Sequence, residues 1–280
     1  MLVRIVGSGA MGIGIAQVFA AAGHEVELTD QEKEIAIEAK AGLEKQLARL
    51  VEREKIEEKD KEDIMARIKV TSATDDVSKI DLLLEAVSES TELKRRIFED
   101  YDARCKDDCI FATNTSSLSI TELAAGLKHA ERFIGMHFFN PPAVMKLVEV
   151  ISGEETSEAT VEKVVELSRE LGKTPVICRE APGFIVNRLL IPMLNEAVEL
   201  LDLGVASKDD IDEAMKLGAN HPMGPLALAD LIGLDVCLNI MDTLYKETGD
   251  PKFRPSVRLK KMVRAGKLGR KTGRGFHDYR

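Results

Sequence analysis

The sequence is poor in the residues that staple small folds or hold metals. Its 280 residues contain four cysteines, Cys105, Cys109, Cys178 and Cys237, with neither the paired C-x-x-C spacing of a zinc site nor the density of a secreted disulfide scaffold. They read as reduced thiols in a cytoplasmic protein that holds no metal. A basic surplus is also missing. The 39 Lys and Arg stand against 48 Asp and Glu, a net charge of -9, which argues against general nucleic-acid binding, since a phosphate-neutralising protein normally shows the opposite balance. No low-complexity tail and no internal repeat is evident. What is present, 44% hydrophobic residues over this length, suits a soluble globular protein of about two domains with a real core.

The N-terminus imitates a secretion signal. Met1 to Gly23 carries a single charge, Arg4, before an apolar run ending Phe19-Ala20-Ala21-Ala22. Gly7, Gly9, Gly12 and Gly14 argue for something else, because they sit at set spacings between a β-rich run, Leu2 to Val6, and an apolar helical run, Ile13 to Ala22. The pattern Gly7-x-Gly9-x-x-Gly12 is that of a phosphate-binding turn. The first glycine permits the tight turn, the second lets backbone approach a pyrophosphate, and the third lets helix and strand pack closely. A second strand, Glu25 to Thr29, ends at Asp30, where a carboxylate can accept both ribose hydroxyls of an adenosine and would repel a 2′-phosphate. The constellation favours NAD over NADP, although Lys33 is near enough to accommodate the extra phosphate.

From Gln31 to Arg67 the chain is charged and helical in pattern, with an apolar stripe at Leu43, Leu47, Leu50 and Val51. Lys45, Arg49 and Arg53 recur every four residues on another face, which could grip phosphates or stand solvated among Glu44, Glu52, Glu54, Glu57 and Glu58. Strands follow at Ile68 to Thr71 and Ile80 to Ala86, the second reading as a buried parallel strand whose carboxyl end presents Glu85, Glu89 and Lys94. Those three could equally cap or solvate the next helix, Thr91 to Arg104. Another strand, Ile110 to Thr113, runs into Asn114-Thr115-Ser116-Ser117, placed to contact a substrate oxygen or a nicotinamide, while Ser117 or Ser119 with Glu122 suits a helix cap.

The stretch Gly135 to Glu149 reads as strand, turn, strand, with Asn140-Pro141-Pro142 reversing the chain between His137 and Glu149. Two adjacent strands would bring that imidazole and carboxylate together. A carboxylate on one ring nitrogen fixes the tautomer and leaves the other free to exchange a proton. A hydrogen-bonded structural histidine is the plainer alternative. Beyond a helix at Ser157 to Leu171 and a strand at Pro175 to Cys178, Ala181-Pro182-Gly183 interrupts the pattern, and helices are expected at Phe184 to Leu203, Ser207 to Leu217 and Ala227 to Tyr245. Asn187, one turn into the first of them, faces back toward the cleft if that helix crosses its mouth.

The runs G-S-G-A-M-G-I-G-I-A, L-L-L-E-A-V-S-E, T-N-T-S-S-L, H-F-F-N-P-P, M-K-L-V-E-V, P-G-F-I-V-N-R-L, P-M-G-P-L, L-A-D-L-I-G-L-D and K-T-G-R-G-F span nearly the whole chain in order. Together they resemble the 3-hydroxyacyl-CoA dehydrogenase family, most of all its bacterial 3-hydroxybutyryl-CoA branch. The resemblance implies an α/β fold: a Rossmann-type dinucleotide-binding domain with a helical hairpin insertion over 1–181, then a smaller all-α domain over 182–280 for substrate and dimerisation. It implies His137 as acid/base paired with Glu149, and Ser116 and Asn187 on the reacting oxygen. NAD would be held by Gly7, Gly9, Ala10, Met11, Gly12, Asp30, Glu89, Lys94, Ser116, Asn140 and Lys271. The family carries a Ser and a Lys for CoA on the helical insertion; here Gln46 and Arg53 stand there, so Arg53 with Arg49 becomes the expected phosphate contact. A CoA thioester substrate, a homo-oligomer formed through the C-terminal domain, and no membrane or nucleic-acid partner complete the expectation. A dehydrogenase of a free hydroxy or sugar acid would keep the cofactor site without the basic face, and a nucleotide sensor would need the glycines and Asp30 but no proton-transfer pair.

Overall fold

The computed structural model describes residues 1–280 and separates into two units, Met1–Ala181 and Pro182–Arg280. In the first, eight strands form one sheet: β1 (Leu2–Val6), β2 (Glu25–Thr29), β3 (Ile68–Val70), β4 (Leu82–Glu85), β5 (Ile110–Thr113), β6 (Phe133–Phe138), β7 (Leu147–Ser152) and β8 (Thr174–Arg179). The order is β3-β2-β1-β4-β5-β6-β7-β8, parallel except that β7 runs antiparallel to β6. Every residue of β4, β5 and β6 is buried, as strands covered on both faces require. Strand order reverses between β1 and β4, the crevice where open α/β sheets bind ligands.

The covering helices are α1 (Ala10–Ala21), α2 (Lys33–Glu52), α3 (Glu58–Arg67), α4 (Thr91–Asp102), α5 (Ile120–Ala124) and α6 (Glu158–Glu170). Helices α2 and α3 form the hairpin between β2 and β3. Leu43 and Leu47 of α2 join Val3, Ile5, Ile15, Phe19, Val26 and Leu28 in one core, so burial fixes the rotation of α2 and leaves Lys45, Gln46 and Arg49 in solvent. At the cap before α5 it is Ser119, not Ser117, that accepts the N–H of Glu122 at 3.0 Å.

The second unit is helical: α7 (Val186–Asp202), α8 (Lys208–Gly218), α9 (Pro225–Ile232), α10 (Leu234–Thr248) and α11 (Val257–Arg264), around Ile191, Leu194, Leu226, Met241 and Leu244. Two expectations are corrected here. The single helix expected from Ala227 to Tyr245 is two, divided at Gly233, whose φ of +106° lies outside the helical range and where a side chain would meet Asp235 Oδ1 at 3.0 Å and Lys271 Nζ at 3.2 Å. Helix α11 was not foreseen; it is short, and Ser256 caps it by accepting the N–H of Leu259 at 3.0 Å. The K-T-G-R-G-F run closes onto α9. Asp230 accepts the N–H of Phe276 and of His277, both at 2.9 Å, and a side chain on Gly269 or Gly275 would strike Asp230 itself. No helix of the chain is long and apolar enough to cross a membrane, and no cluster of His, Cys, Asp and Glu could hold a metal ion.

Candidate active site

The glycine turn between β1 and α1 meets three separate steric demands. Gly7 has φ +99° and a Cβ there would lie 2.7 Å from Ala86 O, while a Cβ on Gly12 would lie 1.8 Å from Gly7 O. Gly9 differs: nothing stands within 4 Å of where its Cβ would be, so the space it leaves is open to a ligand. No side chain caps α1, whose N-terminal amides at Ala10, Met11 and Gly12 therefore form an anion-binding end. A cavity of about 480 Å³ adjoins this turn, lined by Gly7, Gly9 and Asp30 on one side and by Val87, Ile97 and Tyr101 on the other. Asp30 Oδ2 accepts both the N–H and the hydroxyl of Ser8 at 2.7 Å, which aims the carboxylate at the end of β2. The Thr29 hydroxyl in the same wall is buried without a hydrogen-bond partner. An open Gly9, an uncapped helix end, a fixed carboxylate and an orphan hydroxyl fit the pyrophosphate and ribose of NAD.

At the other side of the sheet, the antiparallel pairing of β6 with β7 sets His137 directly opposite Glu149. Nδ1 of His137 lies 2.7 Å from Glu149 Oε2, with the two residues 5% and 0% exposed. An acceptor-only carboxylate on Nδ1 requires the proton there, so in the neutral ring Nε2 carries the lone pair. Phe139 flanks the imidazole, with ring centroids 4.5 Å apart. Asn114, just past β5, accepts the N–H of Phe138 at 2.8 Å and pins the end of β6 next to His137. Burial first, then the Glu149 charge, pushes the Cys178 thiol up to about 11, which keeps that neighbour neutral.

Between these two regions lies a network around Glu89. Its carboxylate accepts the N–H of Ser116 at 2.6 Å, the Ser116 hydroxyl at 2.8 Å and the Thr115 hydroxyl at 3.0 Å. Burial pushes the Glu89 carboxyl up, but the Lys94 ammonium and the Ser116 donors outweigh it and hold the group below the ordinary carboxylate range. Lys94 is not placed as an open ligand: it is 1% exposed and paired with Glu85 at 2.7 Å and Glu89 at 3.2 Å. The Thr115 hydroxyl, expected from the sequence to contact substrate or nicotinamide, is instead bound to Glu89, and Thr113, to which the sequence gave no role, joins the same network through Glu85; its only signal was a hydroxyl at a buried strand's carboxyl end.

The remaining candidates are dispersed. Asn140 is exposed in the turn after β6, which Lys173 Nζ steadies through Pro142 O at 2.6 Å and Met145 O at 2.9 Å. Arg49 on α2 and Arg53 at its C-cap are exposed and form no ion pair with the surrounding glutamates. In the second unit, Asn187 occupies the first turn of α7, and Lys271 pairs with Asp235 at 2.6 Å.

Comparison with known proteins agrees over both units. A family model described as the NAD-binding domain of 3-hydroxyacyl-CoA dehydrogenase matches residues 2–181, and the model of that family's C-terminal domain matches 183–279. The chain is 53% identical over 279 residues to a 3-hydroxybutyryl-CoA dehydrogenase of Clostridioides difficile, covering 100% of this chain and 99% of that protein. It is 45% identical to the mitochondrial hydroxyacyl-coenzyme A dehydrogenase of Homo sapiens, covering 99% of this chain and 91% of the human protein. The crystal structure of (S)-3-hydroxybutyryl-CoA dehydrogenase from Ralstonia eutropha superposes with a TM-score of 0.96 at 49% identity, covering 100% of this chain and 99% of that one. A glycine turn built for a dinucleotide and matches that run through both units lead to one assignment: the chain belongs to the 3-hydroxyacyl-CoA dehydrogenase family and is an NAD-dependent oxidoreductase.

Proposed function

We propose that the chain carries out its family's reversible oxidation on (3S)-3-hydroxybutyryl-CoA, with His137 and Glu149 as the proton-transfer pair. The observation that carries this reading is the 2.7 Å contact between buried His137 Nδ1 and Glu149, which leaves Nε2 as the only ring nitrogen able to exchange a proton. NAD, when bound, supplies the hydride acceptor for C3. Neutral His137 takes the proton of the C3 hydroxyl on Nε2, and Glu149 stabilises the imidazolium; in reduction the same nitrogen returns the proton to the forming alkoxide. Ser116 and Asn187 orient and polarise the reacting oxygen. Gly7, Gly9, Ala10, Met11 and Gly12 hold the pyrophosphate, Asp30 the ribose, and Glu89 and Asn140 the nicotinamide end. Lys94 acts there through Glu89, and Lys271 belongs to the same cofactor environment.

Arg49 and Arg53 grip the CoA phosphates, a reading supported by their exposure and freedom from ion pairs. The second unit mediates a homodimer or higher homo-oligomer, supported by Leu189, Leu203, Val205 and Leu217, each at least 65% exposed. Four free thiols accord with a reducing cytoplasm, and the substrate with butyrate or fatty-acid metabolism. The test is loss of NADH absorbance with acetoacetyl-CoA, set against NADPH and against free acetoacetate. Turnover of the thioester, faster with NADH, supports the reading; turnover of free acetoacetate alone overturns it.

A further inference from the structure

Behind Ser116 lies a buried charge cluster that the proton transfer does not use. Glu85, the last residue of β4, is 0% exposed, and three donors converge on it: Val87 N at 2.6 Å, Lys94 Nζ at 2.7 Å and the Thr113 hydroxyl at 2.7 Å. Burial outweighs the Lys94 ammonium and the other two donors and holds the Glu85 carboxyl above the ordinary carboxylate range, while the three donors around its oxygens suit the carboxylate form. The Lys94 ammonium has two further partners, Glu89 Oε2 at 3.2 Å and Val87 O at 3.4 Å. The ammonium thus donates to Glu85 and Val87 O and faces Glu89 as an ion pair. Glu89 then carries the contact outward to the N–H and hydroxyl of Ser116.

Two carboxylates and one ammonium out of water cost desolvation that an apolar strand end would avoid, and such clusters are weak devices for stability. Their use is geometric. Each member here is held by partners on a different segment: Thr113 on β5, Glu85 on β4, Lys94 on α4, Glu89 in the loop between them.

We propose that Glu85 is a positioning residue for the reaction, fixing Lys94, through it Glu89, and through Glu89 the backbone and hydroxyl of Ser116. The proposal rests on Ser116 meeting the reacting oxygen, as proposed above. In Glu85→Gln the amide oxygen can still accept from Val87 N and Lys94, and its N–H₂ can donate to the Thr113 hydroxyl, but the negative charge that holds Lys94 is gone. Lys94 then turns to its remaining anion, Glu89, and draws it from Ser116. Displacing a substrate ligand by up to an ångström lowers turnover by as much as about 10²-fold.

The test uses the full chain with acetoacetyl-CoA and NADH, alongside thermal melting and NADH titration of each variant. Glu85→Gln should lose about 10- to 100-fold in kcat while KM for the thioester stays within about 3-fold. Thr113→Val, which removes the hydroxyl's bond to the Glu85 carboxylate and the one it accepts from Thr115 N but no charge, should lose roughly 2- to 10-fold. Glu85→Gln added to Lys94→Met should cost nothing further, because both act through Glu89. A folded Glu85→Gln enzyme with kcat within about 2-fold of wild type overturns the proposal, as does an additive loss in the double variant. If Glu85→Gln does not fold, Thr113→Val decides, and unchanged kcat there overturns it. Wild-type turnover of acetoacetyl-CoA tests the reaction itself, so an unchanged variant in an active enzyme counts against the role of Glu85 alone.

Discussion

Gly9→Ala and Gly12→Ala each add one methyl group to the same turn, and the structure separates their effects. At Gly12 the new Cβ would lie 1.8 Å from Gly7 O, where ordinary contact begins at 3.4 Å, and the obstacle is backbone that cannot rotate away. Overpacking of that kind costs roughly 3 kcal/mol at the upper end of its usual range. The better helix propensity of alanine returns about 1 kcal/mol, leaving a net loss of about 2 kcal/mol. For a domain of this size that lowers the melting temperature by roughly 4–8 °C. At Gly9 nothing lies within 4 Å of the new Cβ, so melting should not fall. The methyl group instead stands where the pyrophosphate must approach α1, and losing a charge-assisted hydrogen bond worth about 1.5–3 kcal/mol weakens NADH about 10- to 100-fold. Scanning calorimetry and NADH fluorescence titration of both variants give the result. A Gly9→Ala protein that binds NADH like wild type, or a Gly12→Ala protein that melts like wild type, refutes this account of the turn.

Replacing Lys45, Arg49 and Arg53 together by Ala should raise KM for acetoacetyl-CoA roughly 10-fold, as the loss of a few exposed charge contacts predicts, and leave NADH affinity untouched; steady-state kinetics would contradict the CoA assignment if KM held. Among the thiols, Cys105 should be alkylated first. Its hydrogen bond from Cys109 lowers it against burial, with Arg4 and Arg104 assisting, whereas burial pushes Cys237 up to about 12, so iodoacetamide labelling followed by peptide mass spectrometry should find Cys105 ahead of Cys237. Glu89 sits below the ordinary carboxylate range in the folded chain, so its stabilising share is complete above the unfolded value near about 4.3 and is lost as pH falls through the folded value. Melting curves of Glu89→Gln should therefore fall less steeply with acid below about pH 4.5 than those of wild type.

The local parts of this fold were legible because each rests on short-range rules. The β1, α1, β2 unit follows from a β-rich run, glycines at spaced positions and an acidic strand end, and the pairing of His137 with Glu149 follows from two runs of strand residues around Asn140-Pro141-Pro142. What stayed hidden depends on partners distant in sequence. The Leu-Ile-Gly-Leu-Asp run reads through as a single amphipathic helix, and the break at Gly233, with φ +106°, shows only in the folded chain. Lys94 was correctly placed near a strand's carboxyl end, but its burial against Glu85 and Glu89 is a tertiary fact. Lys271 was expected beside the cofactor from its place in the C-terminal run, while the packing of Gly269 and Gly275 on Asp230 shows that glycines in and beside that run serve the fold.

The central claim is that His137 moves the proton. His137→Gln keeps a polar side chain at the buried position while removing the titrating nitrogen, and the rate of NADH oxidation by acetoacetyl-CoA should fall about 10²- to 10⁴-fold. NADH affinity should stay within about 2-fold of wild type, since the dinucleotide turn is untouched. Turnover near the wild-type rate in a folded His137→Gln protein would contradict the account.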